Sequence, residues 1–136
     1  MREMSSKTAH YAAGVVLGAG VVYATVDVFS GWQLLTIFVG CLMGSSAPDT
    51  LEIKSWIWGK RISLIPHRTI THWLLGWICV CLWVAVRAVE VGTFGWCVAF
   101  GFCLSGLCHV IMDATTPMGV PVLHPYRRSR RHRGCR

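Results

Sequence analysis

The stretch from Gly92 to Met112 reads GTFGWCVAFGFCLSGLCHVIM, and Asp113 follows it directly. It contains no Lys, Arg, Asp or Glu, and its length is close to the roughly 20 residues that an α-helix needs to cross a bilayer. Its one histidine, His109, lies four residues before Asp113. Because residues four apart share one face of a helix, the stretch predicts a membrane-spanning helix with two ionisable side chains together at its end.

Three more apolar segments precede this stretch: Ala9 to Phe29, Gly31 to Ala47, and Trp73 to Val89. Each has about 17 to 21 residues, close to the length of a transmembrane helix. The connections at Ser30 and around Glu90 are so short that consecutive helices should pair as two hairpins. We therefore predict an all-α polytopic membrane protein with about four transmembrane helices, a polar loop between the second and third helices, and a basic C-terminal tail.

The composition indicates that lipid is the surrounding solvent. Of the 136 residues, 54% are hydrophobic and only 14% are charged, whereas a soluble domain has about 25% charged residues. The length favours a single domain, which we place at residues 1–126, with a separate tail at residues 127–136. The tail contains six arginines: Arg127, Arg128, Arg130, Arg131, Arg133 and Arg136. We expect this tail to bind anionic lipid headgroups rather than nucleic acid, for which an arginine run alone is a weak indication.

Basic residues also fix the predicted orientation. Outside the tail, Arg87 lies near the end of the third apolar segment, and the other six basic residues occur before the first helix and between the second and third, at Arg2, Lys7, Lys54, Lys60, Arg61 and Arg68. With four spans these segments and the tail lie on one side of the membrane, which the positive-inside rule makes cytoplasmic. We expect a multi-pass protein of the inner (plasma) membrane with both termini in the cytoplasm. Trp73 and Trp77 would lie near the inner interface.

Side chains of the kind that bind metals gather at the predicted cytoplasmic ends of these helices. They are His10, Asp49, His67, His72, His109 and Asp113, with Glu52 close to Asp49. The orientation was derived from Lys and Arg alone, so this clustering is an independent observation. Imidazole and carboxylate are typical ligands of zinc and also suit manganese or iron, and ligands from separate helices of a bundle can build such a site. We expect the six ligands to converge in space.

A metal at this position would lower the pKa of a water molecule and polarise a phosphoryl or carbonyl oxygen. Glu52 or a non-ligating Asp is then the candidate general base, and Arg68 is the candidate clamp for a substrate anion, since guanidinium matches phosphate oxygens. Each residue alone also has a simpler interpretation. His10 can be an interfacial side chain, Asp49 a turn residue, and the segment from His67 to His72 a contact for lipid headgroups.

The chain resembles the YdjM-type membrane-bound metal-dependent hydrolases, a family described as LexA-regulated and associated with the inner membrane. The resemblance covers nearly the whole chain. It rests on Thr8-Ala9-His10, Ala47-Pro48-Asp49 within Gly44 to Glu52, Pro66 to His72, His109 to Asp113, and Thr116 to Pro125. It implies a membrane-embedded helical fold, a divalent metal as cofactor and a hydrolytic activity.

That family is in turn distantly similar to zinc-dependent phospholipase C and the S1/P1 nucleases, helical enzymes that cleave phosphodiesters with a zinc cluster. Their ligand order resembles that of His10, Asp49, His67, His109 and Asp113, which implies phosphoester hydrolysis here. The chain departs from them because their processed N-terminal residue is a ligand, whereas this sequence begins Met1-Arg2-Glu3. Their later ligands are not evident either, so one or two metal ions are expected rather than three.

These observations predict a membrane-bound metal-dependent hydrolase that acts on a small-molecule or lipid phosphoester at the cytoplasmic face, with zinc as the expected cofactor and manganese as an alternative. Two other classes remain open. A metal or ion carrier would bind the metal only transiently, and a structural membrane protein would bind none. The sequence does not indicate the oligomeric state.

Overall fold

A computed structural model describes residues 2–50, 54–57, 60–63, 70–115 and 120–123. In chain order the elements are α1 (Arg2–Ala24), α2 (Gly31–Gly44), the single-turn α3 (Ala47–Thr50), β1 (Lys54–Ile57), β2 (Lys60–Ser63), a 3-10 turn (Ile70–His72), α4 (Leu74–Val91) and α5 (Phe94–Ala114). The protein is thus mostly helical, as predicted. The proposed tail, residues 127–136, and therefore its boundary with the domain, lie outside the described residues.

Two of the described helices, α4 and α5, are long and apolar enough to cross a membrane by length and composition. Residues Thr8–Ala24 of α1 and the helix α2 are also apolar but shorter. The four predicted apolar segments therefore all form helices, of which two have the full length of a span.

The predicted polar loop between the second and third helices contains two strands. β1 and β2 pair antiparallel, with Lys54 opposite Ser63 and Ile57 opposite Lys60. This hairpin was not predicted from the sequence. Its strands contain Trp56, Ile57 and Ile62, and aromatic and β-branched residues favour extended backbone over helix.

Two predicted helix ends were wrong. The first helix ends at Ala24 rather than Phe29; the next residues include the β-branched Thr25 and Val26, which have reduced helix propensity. The second ends at Gly44 rather than Ala47, because Pro48 has no N–H to donate to the Gly44 carbonyl and its ring crowds that carbonyl. The chain resumes helical structure in α3 after a two-residue turn.

Helix α5 lies at the centre of the bundle and contacts α1, α2 and α4. Its closest neighbour is α2, where glycines allow the two backbones to touch. A Cβ atom on Gly101 would collide with the carbonyl oxygen of Ile37, and one on Gly44 would collide with the carbonyl oxygen of Phe102. Small residues allow this close approach between helices, and the resulting register places the end of α2 beside the last turns of α5.

The far end of the bundle is closed by a side chain that joins both helical hairpins. Gln33 Nε2 donates a hydrogen bond to the Gly92 carbonyl at 2.7 Å, and its Oε1 accepts one from the Ser30 backbone N–H at 2.8 Å. Gly92 caps α4 in the left-handed conformation, with φ of 61°. Both connecting turns are therefore fixed at this end, and the ionisable residues described next lie at the opposite end.

Candidate metal centre

The site begins where helical structure is interrupted at the end of α2. Because α2 stops before Pro48, the carbonyl of Ser45 is available to a side chain, and His109 Nδ1 lies 2.7 Å from it. A carbonyl oxygen only accepts hydrogen bonds, so Nδ1 carries the hydrogen and Nε2 has the free lone pair. His109 is 2% exposed, and its buried Nε2 has no hydrogen-bond partner among the described residues.

Two carboxylates lie around the imidazole of His72, which is completely buried. His72 Nε2 is 3.5 Å from Asp49 Oδ1 and 3.4 Å from Asp113 Oδ2. Asp49 Oδ1 is also 3.7 Å from His109 Nε2. The Nε2 atoms and carboxylate oxygens of residues on α3, the 3-10 turn and α5 therefore face one small region.

His10 completes the cluster from α1. Its Nε2 lies 3.7 Å from Asp113 Oδ1, and its ring stacks on the ring of His109, with 3.9 Å between the centroids. The two oxygens of Asp113 consequently face different histidines, Oδ1 towards His10 and Oδ2 towards His72. This arrangement follows from the helical spacing, since Asp113 lies one turn beyond His109 on the same face of α5.

The donor atoms form two overlapping groups of metal-ligating type. One contains His10, His109 and Asp113, the other contains Asp49, His72 and His109, and within each the donor atoms lie within 4.8 Å of one another. Two donors bound tetrahedrally to one zinc ion at 2.0–2.2 Å lie roughly 3.3–3.6 Å apart. The nitrogen–oxygen distances of 3.4–3.7 Å match this better than an N–H···O hydrogen bond, whose usual range is about 2.7–3.2 Å. With the orphaned lone pair of His109, this donor set fits a divalent cation.

Asp49 and His72 shift each other's pKa. Contact with the imidazole of His109, and then with that of His72, lowers the pKa of the Asp49 carboxyl well below its ordinary value, although burial acts in the opposite direction. Burial lowers the pKa of His72, but Asp113 and Asp49 more than reverse this effect, so that the His72 pKa is raised. Asp49 is therefore an anion at neutral pH, as a carboxylate ligand must be.

Five of the six predicted ligands come together: His10, Asp49, His72, His109 and Asp113. The sixth, His67, lies outside the described residues, as do the candidate base Glu52 and the candidate anion clamp Arg68, so their roles stay predictions. His72 was predicted at the cytoplasmic end of the third apolar segment; α4 begins at Leu74, and His72 ends the preceding 3-10 turn.

Two groups that orient the histidines were not predicted from the sequence. One is the Ser45 carbonyl, for which the sequence offered no direct signal, because the carbonyl that Pro48 deprives of its helical partner is that of Gly44. The other is Thr71, whose Oγ1 lies 3.1 Å from His72 Nδ1. Its position directly before a candidate ligand was the only signal in the sequence.

Comparison with known proteins gives one result at the level of families. A family model described as "YdjM inner membrane protein" matches residues 4–135. No curated protein and no solved structure matches the chain.

Proposed function

The chain belongs to the YdjM inner membrane protein family, and from this premise we propose that it is a membrane-bound, metal-dependent hydrolase of phosphoesters. The observation that carries the proposal is the cluster of three imidazoles and two carboxylates at one end of the helices, where the lone pair of His109 Nε2 is buried and has no hydrogen-bond partner in the part of the chain that the structure describes. A buried polar atom without a partner is costly, and in a membrane protein such a group is a functional candidate by default.

The residues that would hold the metal are His10, Asp49, His72, His109 and Asp113. Zinc suits three imidazoles with two carboxylates, and manganese is the alternative. We propose one or two ions. His109 belongs to both donor groups, but its single free lone pair can bind only one ion, so a second ion would need a further ligand. His67 is the predicted candidate for that ligand.

When bound, such a cation supplies a lowered pKa for a water molecule and polarisation of a phosphoryl oxygen. The protein contributes orientation and charge. The Ser45 carbonyl fixes the ring of His109, and outer hydrogen bonds of this kind raise the basicity of a ligand. Glu52 is the proposed acceptor of the proton from water, and Arg68 is proposed to hold the phosphate oxygens of the substrate.

The position of the site favours a substrate from the membrane. In the proposed orientation the cluster lies at the cytoplasmic ends of the helices, near the headgroups of the inner leaflet. A lipid phosphoester could present its headgroup there without leaving the bilayer. A soluble phosphoester would reach the same place from the cytoplasm, so the assay must include both.

The activity is tested with detergent-purified protein, zinc or manganese, and a panel of soluble phosphodiesters and phospholipids in mixed micelles. We expect turnover that Asp113→Asn lowers at least about 100-fold, because the neutral amide binds a dication poorly and even loss of an outer partner of a ligand costs 10- to 100-fold. Asp27→Asn is the matched control, since Asp27 is exposed in the turn at the opposite end of α1. Turnover that is equal in wild type and Asp113→Asn would refute the metallohydrolase proposal.

A second experiment tests the proposed topology of four spans with both termini in the cytoplasm. A fluorescent protein fused after Arg136 should fluoresce, and alkaline phosphatase at the same place should be inactive. Alkaline phosphatase inserted in the turn after Asp27 should be active, because that turn would lie outside. Strong phosphatase activity of the fusion after Arg136 would contradict the arrangement.

The two other classes give different results in these assays. A metal carrier would bind the cation and move it into sealed vesicles without hydrolysing any phosphoester. A structural protein would bind no metal, and its His–Asp contacts would serve only packing and charge balance.

A further inference from the structure

Trp77 connects α5 to the turn that carries His72. Its indole Nε1–H donates a hydrogen bond to the Thr71 carbonyl at 2.8 Å. On the other side its ring lies against Gly106 of α5, where an added Cβ atom would be only 2.5 Å from ring atom Cζ3. Because Gly106 has no side chain, the indole of Trp77 fits between α5 and the 3-10 turn.

Trp77 binds the backbone carbonyl of Thr71, and the side chain of Thr71 contacts His72. Thr71 Oγ1 lies 3.1 Å from His72 Nδ1. When Nδ1–H donates to this hydroxyl, the lone pair of the imidazole is on Nε2, the atom that faces Asp49 and Asp113. A metal ligand needs this tautomer, so the position of Thr71 bears directly on the ability of His72 to bind a metal.

The chain on the other side of His72 is held by backbone bonds. The N–H of Leu74 donates to the Pro121 carbonyl at 3.0 Å, and that of Leu75 donates to the Val122 carbonyl at 3.3 Å. These bonds secure the start of α4, and the indole of Trp77 holds the Thr71 peptide on the opposite side of His72. The contact with Gly106 needs only the six-membered ring of the indole, so the directed N–H is the feature that packing alone does not explain.

We propose that Trp77 is a positioning residue of the metal centre, which through Thr71 holds the His72 imidazole in the place and tautomer needed for ligation. The inference rests on the proposed metal site. It goes beyond that site because it assigns a role to a residue of α4 that is not one of the proposed ligands.

The test is the zinc affinity of detergent-purified full-length protein, measured by competition with a chromophoric chelator. Trp77→Phe keeps most of the ring and removes the N–H, and we expect it to weaken binding about tenfold, the lower end for groups that support a ligand. Trp83→Phe is the matched control, since Trp83 is an exposed residue of the same helix, and it should bind as wild type does. Gly106→Ala, which presses on the same ring from α5, should also weaken binding.

The effect must depend on His72. In a His72→Ala background, Trp77→Phe should weaken zinc binding no further, because residues that act through one group are not additive. A loss of similar size in that background would show a general structural effect and overturn the inference, as would equal affinities of Trp77→Phe and wild type. Wild-type protein that binds no zinc would overturn the metal site and this inference together, whereas zinc binding that is unchanged in Trp77→Phe would leave the metal site intact.

Discussion

Replacing His109 with alanine is expected to weaken zinc binding by more than about 100-fold, since losing a mere outer partner of a ligand already costs 10- to 100-fold. His109 is the only residue shared by the two donor groups of the described cluster, so its removal should affect both. The ring also stacks on His10, so the change should loosen a second ligand. The competition assay used for Trp77 measures the effect.

Cys108→Ala is the control for this variant. Cys108 precedes His109 on α5 and is partly buried, so its truncation tests loss of packing near the cluster without loss of a ligand. We expect wild-type zinc affinity for Cys108→Ala. If His109→Ala retains affinity within a few-fold of wild type, His109 is not a ligand and the cluster must be explained without it.

The second large effect is expected from Gly101→Ala. An added Cβ would collide with the backbone carbonyl of Ile37 on α2, and a backbone atom cannot move aside as the end of a side chain can. Overpacking typically costs 1–3 kcal/mol, and we expect about 3 kcal/mol or more here. Because α2 must move away from α5, the bond between the Ser45 carbonyl and His109 should also weaken, and zinc affinity should fall with stability.

Stability can be measured as unfolding by SDS titration in mixed micelles. The matched control is Gly20→Ala in α1, where an added Cβ meets no atom within 4 Å. That change should leave stability unchanged or raise it by up to about 1 kcal/mol, because alanine has the higher helix propensity. Equal stability of Gly101→Ala and wild type would mean that α2 and α5 are not in backbone contact.

The sequence predicted the parts of the fold that depend on local periodicity and composition. Helices α4 and α5 followed from predominantly apolar runs of span length, and the shared face of His109 and Asp113 followed from their spacing. The ends of α1 and α2 were less accurate, because the propensity differences at Thr25 are small. Pro48 did allow a better prediction, since its missing N–H requires the helix to end near Gly44.

The site was predictable as a set of residues but not as a geometry. Orientation by Lys and Arg placed His10, Asp49 and His72 at the same end, and this required no knowledge of packing. The contacts that fix the imidazoles could not be derived in this way. The Ser45–His109 bond joins residues 64 positions apart, and it depends on the close approach of α2 and α5 at Gly101. Trp77 was predicted only as an interface anchor, because its bond to Thr71 is visible only in three dimensions.

The central claim is that the cluster binds a metal, and the most direct test is the metal content of the wild-type protein. The protein should be produced in medium containing zinc and manganese, purified in detergent without chelators, and measured by elemental analysis against protein concentration. We predict one or two divalent ions per chain, with zinc foremost, and their loss in His109→Ala prepared in parallel. Wild-type protein without stoichiometric divalent metal, both as purified and after incubation with zinc, would contradict the account.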